Sequence, residues 1–305
     1  MAKPEVVFIM GPTASGKTDL AMQLYDNQPC ELISVDSALV YRGLDIGSAK
    51  PTPEELAKYP HHLIDICEPD EPYSASQFRD DALNLIESAR AAGRLPVLVG
   101  GTMLYYKTLM QGIADLPSAD EAIRRDIVTE ADVIGWPGLH AELAEFDPDS
   151  AARIKPRDSQ RIQRAIEVYR LTGKTLTQFH AEQSEDKLPY EVLSVAISPI
   201  DRAILRDRIR QRFMAMIEAG VIQEVEHLLN VKGYDPELPA MRSVGYRQVI
   251  EYLQGHRDYE LMIENVVIAT ARLAKRQVTW LRSWPDVHWF ESGEPQNLTK
   301  LVALL

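Results

Sequence analysis

Cysteine is scarce in this chain of 305 residues. Cys30 and Cys67 are the only two, and they form no Cys-x-x-Cys pair. Neither a disulfide framework nor a cysteine zinc site is therefore indicated, and a reducing cytosol is the natural setting. Long apolar runs are missing as well. No stretch approaches the roughly 20 residues needed to cross a bilayer. The apolar run nearest the N-terminus is only Val6–Met10, too short for the core of a cleaved leader, so neither a leader nor a membrane partner is expected. There is no internal repeat and no low-complexity tract. Positive charge is in deficit: 33 Lys and Arg stand against 45 Asp and Glu, a net charge of −12, which at first sight argues against a nucleic-acid partner. What is plentiful is apolar side chain, 45% of residues, enough for one large or two modest cores.

Gly11-Pro12-Thr13-Ala14-Ser15-Gly16-Lys17-Thr18 fits the whole phosphate-binding loop pattern G-x-x-x-x-G-K-[ST]. Val6–Met10 precedes it as a short buried strand should. Leu20, Ala21 and Leu24 follow at helical spacing. In such a loop, backbone N–H groups and a helix N-terminus surround a polyphosphate. Lys17 adds a mobile charge, and Thr18 a hydroxyl for Mg²⁺.

Strand candidates Val6–Met10, Glu31–Val35 and Leu95–Val99 alternate with helices, one of them Ser76–Ala92. A further strand is expected at Val192–Ile197. The alternation predicts an α/β fold, a P-loop NTPase-like parallel sheet flanked by helices. Residues 117–189 read as helical (119–130, 139–145 and 159–171). They are expected to form an insertion domain within a core made of 1–116 and 190–305. Two more helices are expected at Ile204–Ala219 and Met262–Leu281.

The charge is unevenly placed. Asp115–Ser150 holds ten acids against Arg124 and Arg125. Ala151–Lys174 holds seven cations against Asp158 and Glu167. A polyanion senses potential within about 10 Å at ordinary salt, so a basic face on an acidic protein is still a binding surface. Ile263, Val267, Ala271, Ala274, Val278 and Leu281 form one apolar stripe, with Arg272, Lys275, Arg276, Thr279 and Arg282 on or near the other side. Trp280 lies at the border of the stripe and is expected in the core. Arg202, Arg206, Arg208, Arg210 and Arg212 crowd another helix. Three such faces beside a phosphate site suggest a phosphate-rich macromolecule.

Asp36 closes the strand Glu31–Val35, as a carboxylate that either helps hold a metal or acts as a base. No Asn-Lys-x-Asp sequence is present, which disfavours a guanine-specific GTPase. A P-loop small-molecule kinase stays open at this point. His61-His62 reads as a pair with local hydrogen bonds rather than a metal site.

Longer blocks narrow the choice. Asp36-Ser37-Ala38-Leu39-Val40-Tyr41-Arg42-Gly43-Leu44-Asp45-Ile46-Gly47-Ser48-Ala49-Lys50-Pro51 resembles the second signature of the tRNA dimethylallyltransferases. So do Pro60-His61-His62-Leu63-Ile64-Asp65, Val99-Gly100-Gly101-Thr102, Arg242-Ser243-Val244-Gly245-Tyr246-Arg247-Gln248 and Lys275-Arg276-Gln277-Val278-Thr279-Trp280-Leu281-Arg282. The blocks fall in the family's order, and the chain is similar to its bacterial members. Many relatives carry Gln at the position of Leu39, so the side-chain contact to the base made there does not carry over. A zinc finger like that of the eukaryotic members is not expected.

The resemblance implies transfer of the five-carbon group of dimethylallyl diphosphate to the exocyclic amine of the adenosine immediately 3′ of the anticodon. The diphosphate would sit in the loop Gly11–Thr18 with Mg²⁺ at Thr18. Asp36 would be the base, and Thr102 would lie near the reacting groups. Contacts to tRNA would come from Asp36–Leu39, Thr102, Arg124, Gln160-Arg161-Ile162-Gln163-Arg164, Arg242–Arg247 and Lys275–Arg282. The family also implies a monomer. Transfer to a free adenine nucleotide, as by the adenylate isopentenyltransferases, is the near alternative; the basic block Arg153–Lys174 counts against it.

Overall fold

A computed structural model describes residues 3–114, 116–182 and 187–305 of the chain. Asp115, at the head of the acidic stretch, and the side chain of Arg202 lie outside what is described. Strand β1 (Val6–Met10) runs through the phosphate-loop residues into helix α1 (Lys17–Asn27). Then come β2 (Cys30–Val35), α2 (Pro53–Lys58), β3 (His61–His62), α3 (Ala75–Ala91), β4 (Leu95–Gly100) and α4 (Met103–Gln111). Four helices follow: α5 (Glu121–Phe146), α6 (Pro148–Arg153), α7 (Ser159–Thr172) and α8 (Leu176–Glu182). The chain continues through β5 (Val192–Ser198), α9 (Arg202–Glu218), α10 (Val221–Asn230), α11 (Tyr246–Leu253), α12 (Tyr259–Arg282), β6 (Val287–Glu291) and α13 (Asn297–Val302). It divides into two compact units: Met1–Leu109 with Pro189–Leu305, and Met110–Leu188.

The larger unit carries the parallel sheet that the sequence predicts, in the order β3-β2-β4-β1-β5-β6. Its central strands are apolar on both faces because helices cover both. Val7 and Ile9 of β1 pack with Leu20, Ala21 and Leu24 of α1, while Phe8 meets Tyr106 of α4 at 4.9 Å between ring centres. The Tyr106 hydroxyl is not left orphaned; it donates to the carbonyls of Leu98 (3.0 Å) and Ile9 (3.3 Å). Two elements escape the apolar-run reading. β3 is two residues long. β6 is an edge strand whose His288 and Trp289 are exposed, so neither presents a buried run.

A second apolar cluster joins Val40, Tyr41 and Leu44, just beyond β2, to α10, α11 and the first half of α12. α12 buries Ile263, Val267, Ala274 and Leu281 as its stripe predicts, and adds Met262, Val266 and Gln277.

The smaller unit has its own core of Ile127, Ala131, Leu139, Ile162 and Ile166. α5 breaks at Gly135 (φ 73°), just before Pro137, so the two separate helices expected there are real even though they run on as one element. Proline lacks the amide that would continue the ladder.

Candidate active site

In an open parallel sheet, ligands bind beyond the carboxyl ends of the strands, where the strand order reverses. Here the chain leaves β1 for β2 and returns to fill the gap with β4. The loops after β1, β2 and β4 therefore open on one edge. They line a cavity of about 1110 Å³ in the larger unit.

Gly16 holds φ 82° and hands the chain to α1 at Lys17. Glycine reaches this left-handed conformation without a Cβ penalty, and the free amides of the first helical turn are left for an anion. The Ser15 hydroxyl is buried and has no hydrogen-bond partner among the described residues. Lys17 Nζ donates only a long bond, 3.4 Å, to the Pro12 carbonyl. Burial lowers the Lys17 pKa to about 8; Asp36 opposes that shift and Arg212 adds to it.

Asp36 does not sit on the strand next to the loop, because β4 lies between β1 and β2. Gly100 and Gly101 make that passage tight. A Cβ on Gly100 would fall 2.0 Å from the Val35 carbonyl oxygen, and one on Gly101 would fall 2.4 Å from Gln277 Nε2. Gly100 serves close packing against the backbone of β2, and Gly101 makes room for the Gln277 side chain. Asp36 Oδ1 accepts from Ala38 N–H at 2.9 Å, and Thr102 Oγ1 accepts from Ser37 N–H at 3.0 Å. The ends of β2 and β4 are thus laced together. Thr13–Thr18, Asp36–Leu39, Thr102, Arg242–Gly245, Arg276, Gln277 and Trp280 all line the cavity.

Three residues of this wall were named from the sequence only within longer runs, Arg208 and Arg212 in the arginine-rich helix and Gln277 in the expected tRNA segment Lys275–Arg282. Arg212 of α9 reaches Thr13 Oγ1 at 3.5 Å, and burial depresses its pKa against the pull of Asp36 and Asp19. Arg208 donates to Ser292 Oγ at 2.5 Å, and that hydroxyl donates to the Ser15 carbonyl at 2.6 Å. Gln277 accepts from Thr13 N–H at 3.2 Å and donates to the Gly101 carbonyl at 2.9 Å, which ties α12 to both loops. The arginine-rich run carried a signal for α9, but nothing in it distinguishes Arg208 and Arg212 from their neighbours.

Other expected contacts are corrected. Tyr246, Ile162 and Leu281 are wholly buried, so their side chains offer no surface to RNA; each fills a core. Trp280 is 38% exposed, not core, with the Lys107 ammonium 5.7 Å from its ring centre. With Arg272, Lys275, Arg276 and Thr279 it forms a second, shallower hollow on α12. In the smaller unit, Arg124 and Arg164 close on Glu167 at 2.8 and 2.7 Å, and Gln163 Nε2 donates to the Arg124 carbonyl. Structural work comes first for these three. Arg161 pairs with Asp158 at 2.5 Å, yet its side chain stays 74% exposed. Gln160 is exposed, as are Arg247 and Arg282. His61 and His62 meet the Tyr59 carbonyl (2.7 Å) and Glu31 (3.0 Å), the local bonding expected of them.

Comparison with known proteins gives the same answer from sequence and from structure. The profile of the family described as IPP transferase matches residues 39–284. A protein of Hahella chejuensis named tRNA dimethylallyltransferase 2 is 52% identical over 317 aligned residues, covering all of this chain and 96% of that protein. The full-length tRNA isopentenylpyrophosphate transferase of Bacillus halodurans is 35% identical. It superimposes with a TM-score of 0.71, covering 98% of this chain and 94% of its own. A eukaryotic dimethylallyltransferase solved acting on tRNA superimposes with a TM-score of 0.81 at 26% identity, over 99% of this chain and 78% of its own.

Proposed function

The chain belongs to the IPP transferase family, and we propose that it acts as a tRNA dimethylallyltransferase, moving the dimethylallyl group of dimethylallyl diphosphate to the exocyclic amine of the adenosine immediately 3′ of the anticodon. One observation carries the reading: a single cavity is lined both by a phosphate cradle with half-buried cations and by a carboxylate at the end of β2, one strand beyond β4.

The adenine amine attacks the allylic carbon. The carbon–oxygen bond breaks, its electron pair leaves with the diphosphate, and the proton released by nitrogen passes to Asp36. Negative charge grows on the leaving group, where the loop amides, Lys17 and Arg212 are already placed; preorganised charge of this kind is the largest usual catalytic term. Asp36 is oriented by its bond from Ala38 N–H, so its other oxygen takes the proton. Among the described residues no three His, Cys, Asp or Glu side chains gather as a metal cage. Mg²⁺ would be held by the Thr18 hydroxyl together with the diphosphate, in the manner usual for this ion. When bound it supplies neutralisation of the leaving group.

Adenine stacked in an anticodon loop has to be turned out of the stack, at a cost of a few kcal/mol. We assign the backbone contacts that offset this to Arg161 in the smaller unit and to Arg272, Lys275 and Arg276 on α12. Trp280 supplies an exposed ring beside those cations.

The test combines protein, Mg²⁺, radiolabelled dimethylallyl diphosphate and unmodified tRNA. Label in the RNA is the expected result. Asp36→Ala abolishes transfer while diphosphate binding is largely kept; near-normal turnover in that variant removes Asp36 from the chemistry. Label on free adenosine monophosphate but not on tRNA identifies an adenylate isopentenyltransferase instead. Phosphoryl transfer from ATP to a small molecule identifies a kinase.

A further inference from the structure

Behind part of the cavity wall lies a carboxylate that the transfer chemistry does not use. Glu224, on α10, accepts from three consecutive backbone N–H groups: Asp45 at 3.2 Å, Ile46 at 2.7 Å and Gly47 at 3.0 Å. It also accepts from the Tyr246 hydroxyl at 2.6 Å. Tyr246 is wholly buried, and its ring lies so close to Gly47 that a Cβ there would fall 2.7 Å from Tyr246 Cζ. Burial and the Glu224 charge push the phenol pKa far up, so the hydroxyl stays a donor.

The same loop is held from a second direction. Lys50 Nζ donates to the Tyr41 carbonyl at 2.9 Å and to Asp45 at 2.6 Å, and it also pairs with Asp65. Between these anchors Ala49 is kept at φ 57°, a left-handed conformation that a residue with a Cβ adopts only when its surroundings impose it. Gly47, Ser48 and Ala49 line the cavity, and so do Arg242–Gly245, which lead directly into Tyr246. None of the groups that Glu224 holds is a phosphate-binding cation. Its grip is on the two segments that, with Asp36–Leu39, make the acceptor side of the cavity.

We propose that Glu224 is a positioning residue for RNA: by fixing Asp45–Gly47 and Tyr246 together, it gives the wall of Gly47–Ala49 and Arg242–Gly245 the one shape that receives the extruded nucleoside. The proposal rests on the reading of tRNA as acceptor.

Glu224→Gln tests it at constant volume. Glutamine offers one acceptor oxygen, and its NH₂ would face groups that are themselves donors. The charge-assisted bonds, the stronger kind, are lost. With an anticodon stem-loop as substrate, KM for RNA rises about tenfold, while kcat and KM for dimethylallyl diphosphate stay within about twofold. Tyr246→Phe removes one of the four donors and moves KM for RNA the same way, by about threefold. Equilibrium binding of the stem-loop, read by fluorescence anisotropy, repeats the comparison without turnover. A wild-type KM and Kd for RNA in Glu224→Gln overturn the proposal. So does a fall in kcat and melting temperature with KM for RNA unmoved, the mark of a merely structural carboxylate. Absence of transfer by the wild-type enzyme would instead overturn the function reading, and the binding comparison would still decide the role of Glu224.

Discussion

Arginine does opposite things in the two units. In the smaller one, Arg124 and Arg164 close on the fully buried Glu167, which also accepts from Asp120 N–H at 2.9 Å. In the cavity of the larger unit, Lys17 and Arg212 have no carboxylate within 4 Å among the described residues, and burial lowers the pKa of both. A buried charge without a partner is a cost to the fold. Its retention at the mouth of a phosphate loop marks a place kept for an exogenous anion. A buried charge with a partner marks architecture. Nothing in the residues beside them in the chain sorts these cations, with Lys17 in the phosphate loop, Arg124 in an acidic stretch, and Arg164 and Arg212 in basic ones; only their neighbours in space separate binding from scaffolding.

The comparison breaks first, if it breaks, at Lys17 and Arg212. Lys17→Met and Arg212→Gln are expected to lower single-turnover transfer by about 10³-fold each, about 4 kcal/mol of lost leaving-group stabilisation. Their melting temperatures should hold or rise, since an unpartnered charge has been removed. A matching loss of stability would place these cations with the architectural ones.

Glu167→Gln should do the reverse, costing about 3 kcal/mol of stability by denaturant titration because two arginines lose their buried partner. Its effect depends on pH. Burial raises the Glu167 pKa, but hydrogen bonds from Arg164, Asp120 N–H and Arg124 outweigh that and leave it below the usual carboxylate value of 4.5. The stabilisation is complete above the unfolded-state pKa and is lost as pH falls through the folded one. The gap between wild type and variant should therefore close in acid below about pH 4. A gap independent of pH would rule out the ionised carboxylate as its source.

Third comes diphosphate binding as a function of pH. Lys17 is largely protonated below its pKa of about 8 and neutral above it. Relative to Lys17→Met, which carries the titration of the diphosphate itself, affinity should hold up to that point and then fall about tenfold per pH unit, one proton being taken up on binding. Calorimetry with inorganic diphosphate reads this directly.

The smallest effect is expected at Arg161, exposed and only loosely committed to Asp158. Arg161→Glu should weaken tRNA binding by about 1 kcal/mol and reduce the salt slope by about one. An unchanged slope assigns this arginine to solvent.

How much of this was legible beforehand differs from element to element. β1, β2, β4 and β5 were readable because a strand buried on both faces has to be a continuous apolar run, and the phosphate loop because its pattern spells out its own geometry. β6 was not, since an edge strand with His288 and Trp289 in solvent has no such run. Trp280 was misjudged because helical phase near the edge of an apolar stripe does not say what lies opposite, and Tyr246 because a signature block does not say which of its side chains turn inward. A buried glutamine such as Gln277, holding Thr13 and Gly101, reads in sequence as one more polar residue after two cations.

The sequence by itself determined the strand-loop-helix of the phosphate site, the parallel α/β class and the order of the signature blocks, because each follows from short-range rules of periodicity, turn chemistry and charge spacing. The tertiary structure alone decided that Asp36 shares the loop's cavity from beyond β4, that Arg208 and Arg212 turn inward while Arg124 and Arg164 are already paired, and that Glu224 fastens one wall of the cavity. Those facts depend on which residues far apart in the chain come together in space, and burial and partnership exist only after packing has occurred.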